Sequence, residues 1–138
     1  GEPASGPAVR RGPGRPGERK DATMKLENDL GEIRISSEVF TAVTGSAATN
    51  CYGVKGMAVR SKTDGLVHLL KRESMAKGVK VYYNDDGTVA IELHIIVENG
   101  VNIPAVCRSI MNEVRYVVNK NTGAEVRAVD VFVDSMIL

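Results

Sequence analysis

Residues 79–97 constrain this chain more than any other stretch. Val79, Val81 and Tyr83 alternate with Lys80 and Tyr82 up to Asn84-Asp85-Asp86-Gly87, a composition that marks a tight turn. Beyond the turn, Val89, Ile91, Leu93, Ile95 and Val97 line one face, and Ala90, Glu92, His94, Ile96 and Glu98 the other. A period of two with one apolar and one mixed face predicts an antiparallel hairpin covered on one side only. The rest of the chain must supply that cover.

Two helical patterns do so. Val39, Val43, Ala47 and Cys51 recur every four residues beside Phe40 and Ala48, predicting a helix from about Ser37 to Cys51. Ser36 suits its N-cap and Glu38 its first turn, while Gly45 weakens its middle by roughly 1 kcal/mol relative to Ala. The second stripe is Val106, Ile110, Val114, Val117 and Val118, flanked by Cys107 and Met111. Pro104 fits its first turn, and Gly123 fits a left-handed cap at its end. Short alternating runs add strands at residues 31–35, at 57–60 and around Val129, Val131 and Val133. Within residues 61–78, Leu66, Leu69 and Leu70 have helical spacing. The expected fold class is α+β, in the order β-α-β-β-β-α-β: a mainly antiparallel sheet with two helices packed on one face.

Residues 1–23 read differently. Gly, Pro and Arg dominate, no apolar period exists, and a disordered extension is expected there, with the folded domain at 24–138. The extension has five basic and three acidic residues, net +2; the whole chain is +1, which leaves the body at −1. A nearly neutral body is not a nucleic-acid magnet by charge. No apolar run approaches the roughly 18 residues of a membrane span, and the N-terminus lacks the apolar segment of a signal peptide, so a cytoplasmic location is expected.

Candidate chemistry is sparse. His68 and His94 lie 26 positions apart, and neither has a partner at a zinc-type spacing, so no metal or cofactor is expected. His94 beside Glu92 reads as a solvated surface pair. Asp85 and Asp86 read as turn residues, and Cys51 and Cys107 as small buried hydrophobes. Gly53-Val54-Lys55-Gly56 has the Gly-x-x-Gly form with which KH domains clamp nucleic acid. Here, though, it leads from a helix into a strand and lacks a following helix N-terminus. Pro13-Gly14-Arg15-Pro16 offers only a short basic motif of the minor-groove kind. No catalytic residues are expected.

The face away from the helices is more informative. By parity it carries Tyr82, Ile96, Val126 and Phe132. Tyr82, Ile96 and Phe132 are therefore the candidate self-association or partner surface. The alternative is that residues 61–78, or Met136, Ile137 and Leu138, fold over it.

Five segments in order carry a family likeness. They are Gly31-Glu32-Ile33-Arg34-Ile35-Ser36-Ser37-Glu38-Val39, Gly53-Val54-Lys55-Gly56-Met57, Lys77-Gly78-Val79-Lys80-Val81, Asn102-Ile103-Pro104-Ala105-Val106 and Thr122-Gly123-Ala124-Glu125-Val126. From about Leu30 to Phe132 the chain resembles the alkaline shock protein twenty-three family of Gram-positive envelope stress proteins. The resemblance implies a non-enzymatic protein that self-associates, gathers near the membrane through an anchored partner and takes no small-molecule substrate. The Tyr-Gly common before Ile-Pro in that family is absent, and residues 61–76 match no family pattern. A KH-like nucleic-acid domain is the alternative.

Overall fold

The computed structural model describes residues 23–63, 65–71 and 77–138, together with the backbone of Glu18–Arg19. The described elements are β1 (Glu18–Arg19), β2 (Met24–Asn28), β3 (Gly31–Ile35), α1 (Ser37–Thr49), β4 (Val54–Arg60), β5 (Val67–Leu69), β6 (Val79–Asn84), β7 (Val89–Glu98), α2 (Ile103–Thr122) and β8 (Val126–Ile137). The α+β class and the two helices on one face stand as expected, with extra strands. Most of the expected disordered extension lies outside the described residues. Glu18–Arg19 within it pairs antiparallel with Asn84 and Tyr83.

β7 is the centre of the sheet. β8 runs parallel along one edge of it, from Val89↔Val126 to Glu98↔Ile137. The other edge is divided: β6 pairs antiparallel with residues 89–93, and β4 pairs antiparallel with residues 95–97. The parallel step requires a crossover, which α2 provides. Its start is capped by Asn102, whose side chain accepts from the Ala105 N–H at 3.1 Å. Its end is closed by Gly123 at φ 76, a left-handed cap that Gly adopts without steric penalty.

The core lies between sheet and helices. Val79, Val81 and Tyr83 of β6, and Val89, Ile91, Leu93, Ile95 and Val97 of β7, meet Phe40, Ala47 and Ala48 of α1. Val106, Ile110, Val114 and Val118 of α2 complete the contact. Tyr83 packs edge-on against Phe40, with ring centroids 5.7 Å apart. Its hydroxyl is buried and has no hydrogen-bond partner among the described residues. Burial pushes that phenol up to about 12.

Two local expectations change. Leu66, Leu69 and Leu70 do not build a helix: Val67–Leu69 is a strand paired with β4. Local turn bonds decide this, with the Ser61 N–H donating to Leu66 O at 2.8 Å and Arg60 Nη1 to Gly65 O at 2.6 Å. The segment at Gly31–Ile35 is the return strand of a separate hairpin, β2–β3, rather than a member of the main sheet.

Candidate functional site

The sheet face opposite the helices holds the residues singled out by parity. Tyr82 and Ile96 do point away from the main core, but they are not exposed. They retain 3% and 4% of their surface, whereas Phe132 retains 45%. Tyr82 packs with Ala90 and Ala128 in a second small apolar cluster. Alternation fixes which face a side chain takes and says nothing of what lies over that face. Val126 is a plainer correction. A register shift pairs Val126 with Val89 and Ala128 with Ala90, leaving Arg127 as the extra residue. This bulge turns Val126 into the main core.

A second shift makes Asp134 the extra residue between Ile95↔Val133 and Ile96↔Ser135. The bulge brings the Asp134 carboxylate to His94, with Nδ1 and Oδ2 2.9 Å apart. The other ring nitrogen, Nε2, lies 2.8 Å from Glu92 Oε2. A neutral imidazole has one N–H, so the imidazolium is the form that donates to both carboxylates. Phe132 stacks on the ring at 4.9 Å, 12° from parallel. Lys80 Nζ stands 3.7 Å from Glu92. The His94–Glu92 pair expected from the sequence therefore exists, but Glu92 is buried at 7% exposure rather than solvated. Alternation with Val131 and Val133 already puts Asp134 on the face of Phe132; what the sequence does not show is the bulge beside His94.

The remaining chemistry is structural. Thr88 donates to Asp86 Oδ1 through its N–H at 3.0 Å and its hydroxyl at 2.7 Å. These bonds, the hydroxyl's foremost, hold the Asp86 carboxyl below its usual range. Both thiols are raised, chiefly by burial, and neither forms a disulfide. Among the described residues no cluster of His, Cys, Asp and Glu could hold a metal.

The glycines of the Gly-x-x-Gly loop answer to packing. Gly53, at φ 87, leaves little room for a side chain: a Cβ there would stand 3.0 Å from Val106 and 3.1 Å from Val101. Gly56 lies under Leu69, whose methyl would meet a Cβ at 2.8 Å. Val54, Lys55 and Gly56 are themselves the start of β4, and no helix N-terminus follows them.

A sheet with both helices on one face, a β7-α2-β8 crossover and a bulged edge strand defines a small α+β domain whose polar groups are spent on its own structure. The chain belongs to the alkaline shock protein twenty-three family, described as having a cell envelope-related function, which matches over residues 25–138. It is 35% identical over 115 residues to the uncharacterized protein YloU of Bacillus subtilis, spanning 83% of this chain and 95% of that one. It is 32% identical over 115 residues to the uncharacterized protein Spy1614 of Streptococcus pyogenes, spanning 83% and 94%. The uncharacterized protein YqhY of Bacillus subtilis is 28% identical over 118 residues, spanning 83% and 86%. No solved structure matches the chain significantly.

Proposed function

We propose that this chain is a non-enzymatic interaction module of the cell envelope, which self-associates and docks on a membrane-anchored partner. One observation carries the docking: Phe132 is 45% exposed on the sheet face the helices leave uncovered, and Ile137, set on the same face by its pairing with Glu98, is 40% exposed. Large apolar side chains at this exposure gain by being covered. Phe132 is also held in place by its stack on His94, so a partner meets a pre-ordered ring and little ordering entropy is lost. No helix among the described residues is long and apolar enough to cross a membrane. In this reading, attachment to the envelope comes through the partner.

The test is the distribution of a fluorescently tagged chain in a Gram-positive cell. Wild type should follow the envelope, and Phe132→Lys with Ile137→Lys should spread evenly while keeping its circular dichroism spectrum. An envelope signal that survives both substitutions refutes docking through β8.

A further inference from the structure

The hairpin β2–β3 is an arm. Its register pairs Met24 with Ile35 and Leu26 with Ile33, which puts all four on one face. Only Met24 and Ile35, at the base, join the core. Leu26 and Ile33 remain 38% and 54% exposed, and Leu30 at the tip is 97% exposed. A cleft of about 220 Å³ separates the base of the arm from the β6–β7 turn. The opposite face pairs Lys25 with Arg34 and Glu27 with Glu32, and Lys25 stands 3.8 Å from Glu27 and 3.9 Å from Glu32. With Asp29 at the turn, the arm carries three carboxylates against two cations. A two-stranded ribbon on its own is marginally stable in water. Covering Leu26, Leu30 and Ile33 would stabilise it.

The β4–β5 end has the opposite sign. Among the described residues of 54–77 stand the cations Lys55, Arg60, Lys62, Lys71 and Lys77, while Asp64, Arg72 and Glu73 of the same stretch lie outside the described residues. Within this stretch Leu66 and Leu69 stand at 59% and 50% exposure. Among the described strands β5 pairs with β4 alone.

We propose that the apolar, acidic arm of one copy docks on the apolar, basic β4–β5 edge of a second copy, joining identical chains head to tail. This rests on the self-association in the proposed function and assigns it to a surface separate from the Phe132 strip. The occupant is a second copy because one chain carries both halves of a complementary pair: leucine and isoleucine with carboxylates, and leucine with lysine and arginine. The contact is heterologous, so each joined pair keeps one unused arm and one unused edge. Its electrostatic part is screened by salt.

Light scattering on purified full-length chains tests this with two exposed-surface variants, Leu30→Lys/Ile33→Lys in the arm and Lys62→Glu/Lys71→Glu at the edge. Wild type should assemble, and each variant alone should assemble at least tenfold more weakly. Mixed in equal amounts, the two should form a one-to-one dimer, because one supplies the intact arm and the other the intact edge. If the first arm variant loses its circular dichroism spectrum, Glu27→Lys/Asp29→Lys takes its place, since it changes no apolar residue. Undiminished assembly of both variants overturns the head-to-tail contact, and so does a mixture that stays monomeric. Assembly lost in Phe132→Lys alone would move the contact to β8. A wild-type chain that is itself monomeric overturns the underlying self-association, a result seen before any variant is made.

Discussion

Replacing Tyr83 by Phe removes one oxygen from the middle of the molecule and should make the protein more stable. Tyr83 is 4% exposed, and its ring lies edge-on to Phe40 at an interplanar angle of 83°. Phenylalanine keeps that ring contact. The hydroxyl has no hydrogen-bond partner among the described residues, and a buried unsatisfied polar group of this kind costs about 1–3 kcal/mol. Allowing for the dispersion contacts the oxygen makes, the variant should gain roughly 1 kcal/mol. For a domain of this size that corresponds to a melting temperature higher by about 4 °C. Urea titration at neutral and alkaline pH reads both the gain and its cause. The phenol is raised from 10 to about 12 by burial, so the folded state holds this proton more tightly than the unfolded state does. The resulting stability is complete below pH 10 and is lost as pH rises from 10 to about 12. The variant lacks the group, so its advantage over wild type should widen across that window. A Tyr83→Phe protein less stable than wild type at neutral pH would mean that the hydroxyl is partnered. Parallel alkaline slopes for the two proteins would refute the burial argument.

Two further substitutions probe the structure. His94→Phe leaves the Glu92 and Asp134 carboxylates without the imidazole between them and should destabilise by about 2–4 kcal/mol in urea titration; an unchanged midpoint would show that the network contributes nothing. Gly53→Ala combines a positive φ with crowding against α2 and should lose about 2–3 kcal/mol, whereas Gly123→Ala, at φ 76 with nothing within 4 Å of its Cβ, should lose only about 1 kcal/mol. Equal losses in thermal melts would mean that Val101 and Val106 simply move aside.

What can be read from the sequence follows from which physics leaves a periodic mark. The β6–β7 hairpin and α2 bury one continuous stripe each, and their alternation and four-residue spacing name the core residues correctly. Pro104 and Gly123 mark the ends of α2 because their backbone preferences are local. β5 is three residues long, too short for any period, and its leucines mimic a helix until turn bonds around Gly65 decide otherwise. The bulges at Arg127 and Asp134 shift register by one residue without altering composition, so parity puts Val126 on the wrong face, and it sets Asp134 on the right face without revealing its contact with His94. Tyr82 and Ile96 lie on the side that parity assigns, yet alternation carries no information about how deeply a face is covered.

The divided edge of β7 also orders the assembly of the fold in time. The β6–β7 hairpin closes through a short turn, so its pairing sacrifices little chain entropy and can form early. β4 must then come from the far side of residues 61–78 to reach only residues 95–97, the stretch β6 leaves open. β8 can zip along the opposite edge only after α2 has spanned the crossover. By sequence separation the strand bearing Phe132 is no farther from β7 than β4 is, so loop closure sets both pairings after the local hairpin. Its two bulges keep β8 in step with β7 over the whole of that strand, by one extra residue at each of two places.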